Sequence, residues 1–408
     1  MNVDELVRDS LRELAAEQPS AAPGFADRVL TARRRRRTRR LASVAAATAA
    51  VVAVAVAVPL LDSGRKDVRP AGVLDGDATV AHPDQSPPRE LIAAGNVALA
   101  AYYTAQLQEQ SEQRGAAIRT YWLLDPETGR YEKDTRWSYV AVAPGARTAA
   151  VLERGLLPAH RIGLLDLATG EVQRWIPVER GVGGLAFSRD GRRLVATTYE
   201  ENPDLRVKFK TSSGGAQWMA GHLGRSSRSG FHILDVASGS GSWAAVPSGP
   251  DINDRQDFAF SGTGELVYSQ VIGTKSGMQR FYDRTGREVA APAEERYLRS
   301  DVGARLSPDG SLAALGLTRE VDPGKSYSSI RDPRTGEEIT KVRGAELLAW
   351  ADERRLIAWE RTTGLDEPYL PRLVLVTIGS DKVVPLSGAR EQNRDLNRSE
   401  WEPVFARR

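Results

Sequence analysis

An all-β fold is the prediction for residues 90–408, because two short patterns alternate along this part of the chain. The first pattern is an apolar alternating run that ends at an Asp, passes a Gly a few residues later and continues as a second alternating run. Alternation is typical of half-buried strands, and an Asp followed by a Gly indicates a tight hairpin. Each Asp is therefore interpreted as a turn residue rather than a catalytic one. The copies are LLDPETGR (123–130), LLDLATGE (164–171), ILDVASGS (233–240), FYDRTGRE (281–288), IRDPRTGE (330–337) and a weaker VTIGSDKV (376–383).

The second pattern predicts another hairpin in each repeat, since it reads as strand, polar turn and strand. Its copies are YVAVAPGA (139–146), GLAFSRDG (184–191), FAFSGTG (258–264), GARLSPDG (303–310) and LLAWADER (347–354). The turn positions Ala143, Ser188, Ser261, Ser307 and Ala351 are spaced by 45, 73, 46 and 44 residues. The repeat therefore has a period near 45 residues, which one insertion interrupts.

Two hairpins in about 45 residues make a four-stranded sheet the repeating unit, and propeller blades have that size. The SRDG and SPDG turns, each followed by an apolar strand and then by a DxxTG-like turn, resemble those of TolB-like and WD-repeat-like β-propellers over residues 90–408. The WD dipeptide of true WD repeats is absent, and none of the repeat copies contains a GH dipeptide. The six copies of the first pattern predict a six-bladed β-propeller, with seven blades as the alternative.

The C-terminus is predicted to close the ring. The second pattern has one copy fewer than the first, so one blade lacks a strand, and Pro403–Ala406 has the phase to supply it. Asn96–Leu107 is predicted to be the second strand of that first blade. The alternative there is a helix over Leu91–Gln110, which the helix propensity of Ala and Gln favours.

Residues 41–61 predict a single transmembrane helix, because these 21 residues carry no charge and reach roughly 30 Å as a helix. RRRRRTRR precedes the segment at 33–40, so the positive-inside rule puts residues 1–40 in the cytoplasm as an Arg-rich helical arm. A flexible linker is predicted over 62–89, and the propeller at 90–408 is expected outside the cell. The alternatives are a cleaved export signal and a buried soluble helix. The arm is interpreted as a juxtamembrane helix that binds membrane lipid through residues 33–61, with a docking element as the alternative.

The layout of Arg-rich head, single anchor and outer propeller resembles membrane-anchored propeller proteins of actinobacteria. This resemblance implies a single-pass protein of the cell membrane, with its N-terminus in the cytoplasm and its propeller facing outward.

Composition excludes several classes of function. Residues 1–40 contain ten Arg against six acids, which leaves 46 basic and 47 acidic side chains in the rest of the chain. A neutral body lacks the basic face that nucleic-acid binding needs. The chain has no Cys and only four scattered His, so no metal site is expected. No phosphate-binding loop, dinucleotide fingerprint or GxSxG elbow occurs, and no cofactor is expected.

The insertion at Tyr199–Gly230 is the candidate partner-binding site, since propellers place function on loops and insertions. We expect a non-catalytic binding, scaffolding or sensing module whose partner is a protein or a cell-envelope polymer. The runner-up is a propeller-type extracellular hydrolase resembling a glycosidase, with Glu200 and Glu201, or Asp251 and Asp254, as a carboxylate pair. The candidate binding residues are Arg206, Lys208, Phe209, Lys210, Trp218, His222, Arg225 and Arg228.

Overall fold

The computed structural model describes residues 74, 76–210, 216–220, 227–246, 248, 255–271, 277–322, 324–391 and 399–408. The arm predicted at 1–40, the transmembrane helix predicted at 41–61 and the first part of the linker lie outside these residues. Within the described ranges, no helix has both the length and the apolar character needed to cross a bilayer.

The described residues form strands and one short 3-10 helix at Ala293–Glu295. The strands of the first half are β1 (Ala93–Ala94), β2 (Val97–Glu109), β3 (Arg114–Leu124), β4 (Tyr131–Asp134), β5 (Trp137–Val142), β6 (Thr148–Glu153), β7 (Ala159–Asp166), β8 (Glu171–Phe187), β9 (Arg193–Tyr199), β10 (Leu205–Lys210), β11 (Ala216–Ala220), β12 (Arg228–Asp235) and β13 (Gly241–Ala245). Those of the second half are β14 (Ala259–Phe260), β15 (Val267–Gln270), β16 (Gln279–Tyr282), β17 (Glu288–Val289), β18 (Ala313–Val321), β19 (Lys325–Arg331), β20 (Glu338–Arg343), β21 (Glu346–Trp350), β22 (Arg355–Arg361), β23 (Pro371–Thr377), β24 (Val383–Ala389) and β25 (Glu402–Arg407).

These strands pair into successive antiparallel units of four strands, except for one unit of three. The first sheet is β25–β2–β3–β4, and the next two are β5 to β8 and β8, β9, β12, β13, which share the long strand β8. The fourth sheet is β14 to β17 and the sixth is β21 to β24. In the fifth, β18 to β20 are joined by residues 303–307 through the bridge between Leu306 and Ala313.

Each sheet packs against the next, and the sixth packs against the first. Phe231 of the third sheet and Phe258 beside the fourth have ring centroids 4.9 Å apart. Between the sixth sheet and the first, Trp359 and Trp401 lie 5.1 Å apart. Other apolar clusters join the first sheet to the second, the second to the third and the fifth to the sixth. Between the fourth sheet and the fifth, the Arg305 guanidinium lies 4.0 Å from the centroid of the Tyr268 ring. The arrangement is therefore propeller-like and all-β.

The hairpin interpretation of the first pattern is confirmed. In each of the five strong copies the Asp Oδ1 accepts a backbone N–H two or three residues later, at 2.8–2.9 Å. The glycine that follows has a positive φ, between 68° and 84°, which glycine adopts without strain. These residues are Asp125 with Gly129, Asp166 with Gly170, Asp235 with Gly239, Asp283 with Gly286, and Asp332 with Gly336.

The predicted strand over 96–107 is confirmed, since β2 covers Val97–Glu109 and the alternative helix is wrong there. The C-terminal strand also pairs as expected, because β25 lies antiparallel to β2 from Val97 opposite Arg407 to Tyr103 opposite Glu402. The first sheet thus combines strands from the two ends of the described domain.

The end of the predicted linker is bound to the domain rather than flexible. Val80 exchanges hydrogen bonds with Ala93, and His82 donates its N–H to the Leu386 carbonyl at 2.9 Å. Gln85 is buried, and its Oε1 accepts the N–H of Arg89 at 2.8 Å. These pairings fix the backbone of residues 80–89, which composition alone predicts to be free.

One cavity is shared by β8, β14, residues 303–307, β21 and β25, and we call these segments the innermost strands. The cavity has a volume of about 340 Å³ and is surrounded by the C-terminal ends of several of them, including Phe187, Phe260, Leu306, Trp350 and Arg407. We call the end of the domain at which these strands finish the exit face, and the end at which they begin the entry face. The insertion leaves the domain on the entry face, after β9.

Candidate functional site

The insertion forms a hairpin that reaches from the third sheet to the first. β10 pairs antiparallel with the start of β3, where Leu205 lies opposite Ala116 and Val207 opposite Arg114. β11 then pairs with β10. β2 and β3 are long enough to extend beyond their sheet, so this insertion hairpin, β10 with β11, continues a strand pair that projects from the entry face.

The two faces of the insertion hairpin differ in chemistry, because neighbouring residues of a strand point to opposite sides. One face carries Arg206, Lys208 and Lys210 of β10, with Trp218 of β11 directly opposite Lys208. The Lys208 Nζ lies 5.2 Å from the centroid of the Trp218 indole ring, which is a cation–π distance. Three of the five predicted basic residues thus share one face with Trp218.

The opposite face of the hairpin is mostly apolar, with Gln217 opposite Phe209 as its polar residue among those described. Phe209 and Val207 lie there, and Met219 faces Val207 across the pair with 40% of its surface exposed. Phe209 is therefore separated from the basic residues with which the sequence grouped it.

Three predicted site residues remain. His222 and Arg225 are outside the described residues. Arg228 is buried, with 5% of its surface exposed, and its Nη1 donates to the Gln256 carbonyl at 3.1 Å while its guanidinium lies over the Phe258 ring. Arg228 therefore serves the interface between the third and fourth sheets rather than a surface that a partner contacts.

A buried ionic cluster holds the root of the insertion. Asp204, immediately before β10, accepts two hydrogen bonds from Arg119 of β3, at 2.7 and 3.1 Å, and two from Arg255, both at 2.7 Å. Arg255 also donates to the Gly183 carbonyl at 2.5 Å and to Asp257 Oδ2 at 3.0 Å. We call Arg119, Asp204, Arg255 and Asp257 the latch. It connects β3 of the first sheet, β8 and the segment before β14 with the insertion.

Aromatic side chains enclose the latch. Tyr139 of β5 lies under both guanidinium groups, 5.7 Å from Arg119 and 5.0 Å from Arg255. Tyr199 donates its hydroxyl to Asp257 Oδ1 at 2.8 Å, and burial raises the pKa of this phenol well above its ordinary value. Two tyrosines that stay neutral at physiological pH thus border the latch.

The charge of Asp204 is stabilised by its two arginines. Its side chain is only 3% exposed, and burial alone would raise the carboxyl pKa. The charges and hydrogen bonds of Arg255 and Arg119 outweigh burial, so the pKa of Asp204 lies well below its usual range. The latch is an ionised, structural cluster that positions the insertion, and its carboxylate is fully occupied.

The sequence offered two pairs of carboxylates as candidates for catalysis. Glu200 and Glu201 are exposed, and Asp251 and Asp254 lie outside the described residues. The acids at the start of two innermost strands are Glu346 of β21 and Glu402 of β25. Partial burial and the charge of Glu402 raise the pKa of Glu346, whereas Arg390 donates to Glu402 at 2.7 Å. Among the described residues, no three His, Asp or Glu side chains are grouped in a way that would hold a metal ion.

Comparison with known proteins gives similarity of fold only. No protein-family model matches the sequence, and no curated protein matches it. Among solved structures, TolB from Acinetobacter baumannii has a TM-score of 0.40 and 16% identity, over 75% of this chain and 66% of TolB. Kuenenia stuttgartiensis hydrazine synthase has a TM-score of 0.36 and 15% identity, over 61% of this chain and 65% of that one. A chain of the mitotic checkpoint complex has a TM-score of 0.37 and 12% identity, over 89% of this chain and 99% of that one. The chain therefore spans just under two thirds of the TolB and hydrazine synthase chains.

Proposed function

We propose that this protein is a non-catalytic binding or scaffolding module whose insertion hairpin contacts the partner. The observation that carries this proposal is that the start of the hairpin is held by the latch, while one face of the hairpin presents basic and aromatic side chains. The latch fixes Asp204 with four charge-assisted hydrogen bonds, and the hairpin then presents Lys208 and Trp218. A fixed loop loses little entropy on binding, and Trp is enriched among the residues that dominate interface energies.

The partner that fits this face is an acidic protein segment or an anionic cell-envelope polymer. Three basic side chains lie on one side of β10, and a partner of opposite charge would complement them. Five four-stranded units and one three-stranded unit support a six-bladed ring, in which residues 303–307 act as the innermost strand of the fifth blade.

We expect the double substitution Lys208→Ala with Trp218→Ala to abolish partner capture. Loss of a central aromatic anchor and its cation costs about 2 kcal/mol or more at an interface, which is roughly 30-fold in affinity. The measurement is photo-crosslinking of the full-length protein in its own membranes from a reactive group placed at exposed Lys210.

The matched control is Lys133→Ala, because Lys133 makes the same kind of contact with Trp122 in the first sheet, at 5.7 Å. It should keep every crosslinked partner. Equal crosslinking by the double variant and the control would show that the hairpin is an ordinary surface element.

We further propose that the module is anchored to the cell membrane by residues 41–61, with lipid contacts through 33–61 and the propeller outside. The uncharged segment and the preceding arginines support this topology. An export-dependent reporter fused after residue 70 should be active, and the same reporter fused after residue 30 should be inactive. An inactive fusion after residue 70 would reject the topology.

A hydrolase is the second candidate, and Glu346 with Glu402 is the observation that favours it. Both acids have a raised pKa and begin innermost strands on the entry face. The carboxyl group that acts as a general acid in glycoside hydrolysis needs a raised pKa, and it has to lie close to a second carboxylate. Release of reducing sugar from a cell-wall preparation by the wild type, lost in Glu346→Gln, would favour the hydrolase over the binding module.

A further inference from the structure

The cavity shared by the innermost strands combines apolar walls with two accessible cations. Arg189, in the turn after β8, and Arg407, at the end of β25, line it at the exit face, and both residues are exposed. We call them the rim arginines. A largely apolar pocket with a few convergent polar groups is typical of a site for a small ligand. The larger apolar side chains on its walls are Phe187, Phe260, Leu306, Leu348, Trp350 and Phe405.

No described carboxylate compensates the rim arginines. Burial and the charge of Arg407 both lower the pKa of Arg189, whereas a carboxylate close to this guanidinium would raise it. The acids of the neighbouring turns are bound within those turns and do not line the cavity. Asp190 accepts the Ser188 hydroxyl at 2.6 Å, and Asp309 accepts the Ser307 hydroxyl at 2.6 Å.

The other ionic groups on the cavity wall are already paired. Arg305 donates to Glu295 Oε2 at 2.5 Å, and Glu295 Oε1 accepts the N–H of Gly262 at 2.8 Å. The Arg305 guanidinium also lies over the Tyr268 ring. This pair is neutral as a unit, so the exit face is where the cavity attracts an anion.

The rim arginines retain hydrogen-bonding capacity on exposed atoms. Arg189 donates Nη2 to the Pro308 carbonyl at 2.5 Å, and Pro308 also lines the cavity. In the part of the chain that the structure describes, this is the hydrogen bond of the Arg189 side chain, and the Arg407 guanidinium makes none. The contact extends Arg189 from the third sheet to the fifth and narrows the exit end of the cavity, which favours a small molecule over a polypeptide.

We propose that this cavity binds a small free carboxylic acid that carries one aromatic or branched apolar group. The carboxylate lies between the rim arginines, which donate charge-assisted hydrogen bonds to it and whose mutual repulsion it relieves. The apolar group packs against the aromatic walls. The volume of about 340 Å³ is at the lower end of small-ligand sites. The cavity opens on the exit face and the insertion hairpin leaves the entry face, so this site goes beyond the proposed partner binding.

The test is calorimetric titration of the full-length protein in detergent with N-acetylphenylalanine, its uncharged amide and acetate. Near about pH 7 the acids are ionised and both arginines are protonated. We expect N-acetylphenylalanine to bind about tenfold or more tightly than acetate, because its ring leaves water. It should also bind about tenfold or more tightly than the amide, because charged hydrogen bonds are lost in the amide. Titration into micelles without protein gives the blank.

Arg407→Met should weaken binding of N-acetylphenylalanine by about tenfold or more, and Arg189→Met is a second variant with the same expected effect. Arg192→Met is the matched control, because Arg192 is exposed in the same turn as Arg189 but does not line the cavity. It should leave the affinity unchanged. The variants Lys208→Ala and Trp218→Ala should also leave it unchanged, which separates this site from the function proposed for the hairpin.

Three results would overturn the proposal. Absence of binding by N-acetylphenylalanine, or equal binding of its amide, would reject a carboxylate site at the rim arginines. Equal weakening by Arg192→Met and Arg407→Met would reduce the effect to general surface charge. Tighter binding of the peptide acetyl-Gly-Gly-Phe than of N-acetylphenylalanine would replace the free acid with the C-terminus of a polypeptide.

Discussion

Asp204→Ala is expected to lower the free energy of unfolding by about 3–5 kcal/mol and to release the insertion hairpin. The substitution removes four hydrogen bonds and leaves two guanidinium groups with 12% and 16% of their side-chain surfaces exposed. Asp257 remains to compensate Arg255 only, so Arg119 becomes an unpaired buried charge. Urea unfolding gives the stability, and amide hydrogen exchange over residues 204–210 reports detachment of the hairpin.

A surface ion pair provides the control. Glu265 contacts Arg284 at 2.8 Å and Arg193 at 3.5 Å, but 64% of its side chain is exposed. Because solvent screens exposed pairs, Glu265→Ala should cost no more than about 1 kcal/mol. If the two variants lost the same stability, the latch would have no special role.

Asp204 should also make the free energy of unfolding depend on pH in the acidic range. The pKa of Asp204 is depressed in the folded protein and near 3.9 when unfolded, so its contribution is fully present above about pH 4. The contribution is lost as the pH falls below that value towards the folded pKa. The wild type should therefore lose more stability than Asp204→Asn on going from pH 5 to pH 2, as measured by urea unfolding at each pH.

The parts of the fold that could be predicted from the sequence are those whose conformation depends on residues close together in the chain. The turns at Asp125 and Asp332, for example, need only an acceptor and a glycine a few residues apart, and the strand alternation is equally local. The 73-residue spacing located the insertion for the same reason, since an interrupted period is visible in one sequence.

The latch could not be predicted from the sequence, because its residues are distant in the chain and come together only where different sheets pack against each other. Arg119 and Asp204 are 85 residues apart, and Asp204 and Arg255 are 51 apart. Arginine occurs 48 times in the chain, so none of these residues differs in type from its many exposed counterparts. Arg228 was predicted to be exposed because it lies in a basic stretch of the sequence. In the structure it is buried, because its guanidinium packs over the Phe258 ring.

Deleting residues 399–408 is expected to open the ring and cause aggregation. The deletion removes β25, so the inner edge of β2 loses its partner along Val97–Tyr103. It also removes Trp401, which is 5% exposed and whose indole lies 5.7 Å from Tyr102 and 5.1 Å from Trp359. An unpaired edge of this length is a template for pairing between molecules.

The point variant Trp401→Ala separates packing from strand closure. It keeps the backbone pairing of β25 and removes one buried aromatic side chain, so we expect a loss of about 3–5 kcal/mol without aggregation. The truncated protein should instead elute as large assemblies in size-exclusion chromatography. A synthetic peptide of residues 399–408, added during refolding, should restore a single species by pairing with the open edge of β2. A truncated protein that stays monomeric and unfolds at the wild-type urea concentration would mean that β25 is not needed to hold the first sheet in the ring.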